Sequence, residues 1–158
     1  MTWDERLAEL WASVDDLDED EFRRRMDELT AEPGVDRAVA AYERGSAFDS
    51  TGHSDLAVPL YEQALELGLG EDRRRPAVIQ MASSLRNLGR VDESVALLAA
   101  ERDRRSDELD DAISAFLAFA LADAGREREA AAIALAALAP HLPRYQRSVA
   151  NYARALTE

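Results

Sequence analysis

"ASSLRNLGRVDESVALL", residues 82–98, reads as the end of one helix, a glycine turn and the start of a second helix. Glycine suits the turn because it takes a positive φ without a Cβ clash, and the second helix begins within a few residues of it. Two other stretches superpose on this one when their glycines are aligned. They are "AVAAYERGSAFDSTGHSDLAVPLYEQALEL" around Gly52 and "DAISAFLAFALADAGREREAAAIALAALAP" around Gly125, so the three turns lie 37 and 36 residues apart. A fixed period of that size in a helical chain predicts stacked helical hairpins. Small and large residues alternate between the paired helices. Gly45 and Ala57 stand beside Phe48 and Tyr61 in the first unit, Ala82 beside Leu85 and Leu98 in the second, and Ala118 and Ala130 beside Leu121 in the third.

Composition agrees with an all-α chain. The 158 residues contain only seven Gly and five Pro, while good helix formers dominate, and a 47% hydrophobic chain of this length buries one core. One domain, 1–158, is therefore expected. The net charge of −13 repels phosphate backbones and anionic lipid, which argues against nucleic acid and membrane surfaces as partners. All 19 cationic residues are Arg, so lysine Schiff-base chemistry is excluded, and the lack of Cys excludes thiol nucleophiles, thiolate metal sites and disulfides. A cysteine-free chain without a recognisable export signal fits the cytoplasm. The abundance of Ala and Arg without Lys suggests a GC-rich bacterial source. The longest apolar run, "AAAIALAALAP" at 130–140, is too short to span a bilayer.

The three units resemble the tetratricopeptide repeat family. The first is nearest its pattern, with Gly45, Phe48, Gly52, Ala57, Tyr61 and Ala64 at matching places, and the resemblance covers 35–140. Ala41, Val78 and Ser114 stand where an aromatic is usual, and Ser94 and Glu101 where small alanines are usual. The resemblance implies a right-handed α-solenoid of antiparallel hairpins whose first helices line a concave, peptide-receiving groove. Carried over by position, that groove would comprise Tyr42, Ser46 and Asp49, then Ile79, Gln80, Ser83, Arg86 and Asn87, then Phe116, Phe119 and Asp123. The Lys and Asn set with which some members clamp a C-terminal carboxylate is missing, since Tyr42 and Ser46 occupy those first-unit positions.

A helical stack needs ends with one polar face. At the C-terminus, 141–158, Leu142, Tyr145, Val149, Tyr152 and Leu156 form an apolar stripe opposed by Arg144, Arg147, Asn151 and Arg154. This predicts a capping helix, with a homodimer interface as the alternative use of the stripe. At 1–33 a helix pair is expected, opened by a Thr2/Glu5 capping box and closed by "EPG", which either caps the first hairpin or folds over the groove.

Catalysis has little support. His53 and His141 lie in turns, no serine stands in a G-x-S-x-G context, and no phosphate-cradling glycine loop occurs. Asp16, Asp18 and Asp20 alternate like calcium ligands, but Glu21 and Asp27 stand where the loop needs Gly and Glu, so an acidic helix start is the simpler reading. The more promising surface is on the helix expected from Pro76 to Leu88. There Val78, Met81, Ala82 and Leu85 mark one side, and Gln80, Ser83, Ser84 and Asn87 make a stripe of amides and hydroxyls suited to a peptide backbone. Arg86 with Arg73, Arg74 and Arg75 would steer an acidic ligand, unless those arginines pair with the chain's own carboxylates. These residues predict a non-enzymatic scaffold for an unidentified protein or peptide, with no cofactor and no metal. A self-associating assembly element is the alternative.

Overall fold

The three glycine turns share one backbone conformation in the computed structural model, which describes residues 1–158. Gly52, Gly89 and Gly125 have φ of 79°, 76° and 73°. In each turn the residue after the glycine donates its N–H five residues back: His53 to Phe48 at 2.9 Å, Arg90 to Leu85 at 2.9 Å and Arg126 to Leu121 at 2.8 Å. Each glycine N–H meanwhile bonds three residues back, which completes a Schellman motif and satisfies carbonyls that the helix end would leave unpaired.

The helices so joined are α3 (Arg37–Ser50) with α4 (Ser54–Glu66), α5 (Glu71–Asn87) with α6 (Val91–Arg104), and α7 (Asp110–Asp123) with α8 (Glu127–Leu138). Before them come α1 (Trp3–Ala12) and α2 (Glu19–Thr30); after them come a short 3-10 turn (Ala139–His141) and α9 (Gln146–Ala155), and there is no strand. Packing divides the chain into two compact units, Met1–Ala77 and Val78–Glu158, with the division inside α5.

Helix α5 begins five residues before the expected Pro76. Glu71 and Asp72 supply acidic groups to its first turn, and the Arg73 and Arg74 N–H groups both reach the Gly70 carbonyl. Pro76 and Pro59 each sit sixth in their helices, where the fixed φ of proline suits the helix and only one ladder N–H is lost.

In the first unit, Leu7, Phe22, Met26, Leu29 and Ala47 form a core onto which Trp3, Leu10, Trp11, Val14 and Leu17 pack. The N-terminal pair therefore rests on α3. The Thr2/Glu5 capping box is formed, and Asp18 caps α2 by accepting the Asp20 and Glu21 N–H groups, which is the role the acidic run plays. Position-specific bonds fix the pair. The Trp3 indole N–H donates to the Leu29 carbonyl at 3.0 Å. Arg6 holds Glu32 through two charge-assisted bonds of 2.6 and 2.7 Å. Arg44 holds Asp27 at 2.7 Å.

The second unit explains the two departures from the alanine pattern. Ser94 is fully buried, and its hydroxyl donates to the Ala82 carbonyl at 2.8 Å, tying α6 to α5. Glu101 is also buried, and Arg104 one turn on meets its carboxylate at 2.9 Å. Helix α9 packs on α8 and begins 36 residues after α7 does, in the place of a further first helix. Its buried side differs from expectation. Ala153 is buried with Val149, Ala150 and Leu156 half-covered, whereas Tyr145 and Tyr152 are exposed. Tyr145 has φ of 70° and precedes the helix rather than continuing it, and small alanines let α9 approach α8 closely, so the contact face turns away from the tyrosines.

Candidate functional site

The residues expected to line a groove fall into three environments. On α3, Tyr42 is half-buried with its ring centroid 6.2 Å from that of Tyr61. The Tyr61 side chain is fully buried, and its hydroxyl lies 3.2 Å from Asp49 Oδ2 and 3.4 Å from Ser46 Oγ. Burial holds that phenol protonated, above its ordinary range. Ser46 is itself buried, so the first hairpin uses Ser46 and Asp49 to satisfy its own tyrosine.

On α5, Gln80, Ser83 and Arg86 are half-buried and Asn87 is exposed, while Ile79 is buried. Ser84, expected on the polar stripe, is fully buried instead. The phase of the turns explains this, because Ser84 stands where the flanking hairpins have the buried residues Ala47 and Ala120, and a hydroxyl is small enough for the same slot.

On α7, Phe116 is half-buried, Phe119 is 56% exposed and Asp123 is exposed. Helices α5 and α7 meet here. The Arg86 Nε–H donates to Asp123 Oδ2 at 2.7 Å. The same guanidinium lies 5.3 Å from the centroid of the Phe119 ring, within cation–π range. Phe116 meets Phe119 edge to face at 6.3 Å. The result is an aromatic platform flanked by a pinned ion pair, with the amides of Gln80 and Asn87 on the neighbouring helix.

The arginine triplet does not form a free basic patch. Arg73 pairs with Asp72 at 2.8 Å, Glu43 at 3.5 Å and Asp4 at 4.0 Å, and Arg75 is 1% exposed. Glu43 is buried and accepts the Trp11 indole N–H at 2.9 Å. Burial raises its carboxyl pKa, against the bond from Trp11 and the charge of Arg73. A cleft of about 440 Å³ beside Trp3, Val35 and Val39 has Arg6 and Glu32 in its wall, already paired with each other.

One feature escaped the sequence reading. A groove of about 300 Å³ runs between α7 and α8, lined by Ala115, Ala118, Phe119, Ala130, Ala131 and Ala134. The signal for it was present nine residues beyond each turn glycine, where the hairpins carry Tyr61, Leu98 and Ala134 in succession.

The fold is an all-α series of antiparallel hairpins repeated in phase, with exposed first-helix side chains. A family model for the tetratrico peptide repeat matches residues 38–156, which takes in nearly everything from α3 to α9. The chain belongs to the tetratricopeptide repeat family, whose repeats serve as protein–protein interaction scaffolds. No curated protein and no solved structure matches it. No helix is long and apolar enough to cross a membrane.

Proposed function

We propose that the protein is a non-enzymatic, cytoplasmic scaffold that binds a peptide or protein segment on the first helices of its repeats. The binding face centres on Gln80, Ser83, Arg86 and Asn87 of α5 with Phe116, Phe119 and Asp123 of α7; in the first unit Tyr42 is the corresponding first-helix aromatic. The observation that carries the reading is Phe119: a large aromatic left 56% exposed beside a cation that Asp123 holds in place. Aromatic and arginine side chains fixed in this way are the usual anchors of protein interfaces. Gln80 and Asn87 carry donors and acceptors that match an extended backbone, and the net charge of −13 disfavours nucleic acid as the ligand.

Selection from a random peptide library, followed by titration of the enriched peptides, tests this. Phe119→Ser and Asn87→Ala should each weaken those peptides with the helical signal unchanged; full affinity in both variants would refute the site. Self-association is favoured by a different observation, the exposure of Tyr145 and Tyr152 at 68% and 74%. A molar mass of one chain in light scattering, independent of concentration, would dismiss it.

A further inference from the structure

Helix α9 stands where a further first helix would, but with smaller side chains at the packing positions. Moving 36 residues on from α7, Leu117 and Leu121 are replaced by Ala153 and Thr157. Where α7 packs on α6, those two leucines are each 2% exposed. Where α9 packs on α8, the smaller pair leaves a cavity of about 520 Å³. Its floor is apolar, with Ile133, Ala136, Ala150 and Ala153, and Ser114 stands in its wall at the position where the second hairpin has the fully buried Val78. That volume lies within the range of ligand-sized pockets.

The rim of this cavity carries cations that the chain itself does not neutralise. Arg102 of α6 and Arg154 of α9 both line it. Elsewhere in the unit Arg86, Arg90, Arg104 and Arg126 each hold a carboxylate. Arg102 holds none, and the Arg154 guanidinium reaches only the Asn151 side-chain carbonyl, at 3.5 Å. The one acidic residue of the lining, Asp111, lies 2.7 Å from His141 Nε2. Helix α9 contains no Asp or Glu. Val78–Glu158 carries ten Arg against twelve acidic residues, and Met1–Ala77 nine against twenty, so the acidity that would repel an anion is concentrated in the other unit. We propose that this cavity is a docking site for an acidic segment of a partner protein, which seats a Leu or Phe side chain on the alanine floor and sets a carboxylate against Arg102 and Arg154. A guanidinium matches a carboxylate through two parallel hydrogen bonds, and the apolar floor asks for an apolar group beside that anion. The proposal rests on the scaffold reading above in taking a protein segment as the ligand, but it shares no residue with the first-helix face, so the two can fail separately.

The probe is a panel of short synthetic peptides that place Leu or Phe beside Glu at different spacings, each with a counterpart in which Gln replaces Glu. Wild type should bind Glu peptides and hold their Gln counterparts about tenfold more weakly or worse, the range for losing an anchor side chain. Arg102→Gln/Arg154→Gln should abolish that preference. Thr157→Leu restores the leucine of α7 at an exposed position and fills the cavity, and Ala153→Leu does the same from its floor. Both filling variants, with unchanged circular dichroism, should weaken the Glu peptides about tenfold or more. Equal affinity for Glu and Gln peptides, binding of neither, or full affinity in the double arginine variant or in both filling variants would overturn the proposal. Sodium decanoate, a free carboxylate with an apolar body, is titrated in parallel; its binding without that of any Glu peptide would overturn the proposal by making a small amphiphile the occupant. The Glu peptides should keep full affinity for Arg86→Ala/Asn87→Ala, and their loss there with full affinity in Arg102→Gln/Arg154→Gln would sink the cavity while keeping the scaffold face.

Discussion

The two units use their aromatic side chains in opposite ways. In the first, Phe22 and Tyr61 are fully buried, Trp3 and Trp11 pack on the core, and both indole N–H groups are committed to fixed acceptors. In the second, Phe119, Leu135, Leu138, Tyr145 and Tyr152 are all more than a third exposed, and α7 and α8 face each other through alanines. Alanine contacts bring helices close but bury little area per residue. The first unit therefore covers its aromatics, and the second presents Phe119, Tyr145 and Tyr152 outward. That contrast is why the proposed interaction surface lies in Val78–Glu158.

The largest expected effect breaks the first side of this contrast. Tyr61→Ala should cost about 3–5 kcal/mol, the usual range for emptying a buried aromatic site. Both tryptophans lie in the first unit, so urea denaturation followed by their fluorescence reads the loss directly. Ala134→Tyr, at the matching position of the second unit, should produce no such loss.

Next come the turns. Gly52→Ala, Gly89→Ala and Gly125→Ala should each cost about 1–2 kcal/mol, the penalty of a left-handed backbone for an L-residue. No atom lies within 4 Å of an added Cβ at any of the three, so backbone strain alone operates and the three costs should match. A turn that tolerates alanine freely would break the equivalence of the hairpins.

A smaller effect comes from Glu43. Its carboxyl pKa is raised by burial, with Trp11, Arg73 and Asp4 as the facing groups. A raised native pKa means that the folded state holds the proton more tightly than the unfolded chain. This contribution to stability is present at low pH and is lost as pH rises through the native value. Glu43→Gln removes the titration and keeps an acceptor for Trp11. The stability of wild type minus that of Glu43→Gln should therefore fall as pH rises above the ordinary carboxyl range. A flat or rising difference in paired urea titrations would contradict the assignment.

The smallest stability effect belongs to Phe119→Ser, expected within about 0.5 kcal/mol for a surface position. Its melting curve should overlay that of wild type while peptide affinity drops. A large stability loss would make Phe119 a core residue after all.

Much of the fold was legible in the sequence because glycine turns at a near-constant spacing leave few alternatives for a helical chain. The capping box at Thr2 and the acidic start of α2 were legible for a related reason, since each rests on a local bond. What failed were inferences about which side of a helix faces inward. Ser83 and Ser84 look alike on a polar stripe, and only the repeat phase separates half-buried Ser83 from buried Ser84. Tyr145 belongs by spacing to a helical stripe that its own left-handed backbone precedes, so spacing misjudges the exposed side of α9. For Arg73 and Arg86 the sequence left both a steering surface and internal pairing open, because sequence distance hides the partners Glu43 and Asp123, 30 and 37 residues away. The groove was missed because an absent side chain leaves no motif, and it becomes visible only when Ala134 is compared with Tyr61 and Leu98.

The most direct test is a titration of the isotope-labelled protein with a peptide enriched from the random library, followed by amide NMR shifts. The account predicts that perturbations gather on α5 and α7 around Arg86 and Phe119, with α1 and α2 unmoved at saturation. Perturbations centred on the first unit, or a second unit silent at saturating peptide, would contradict it.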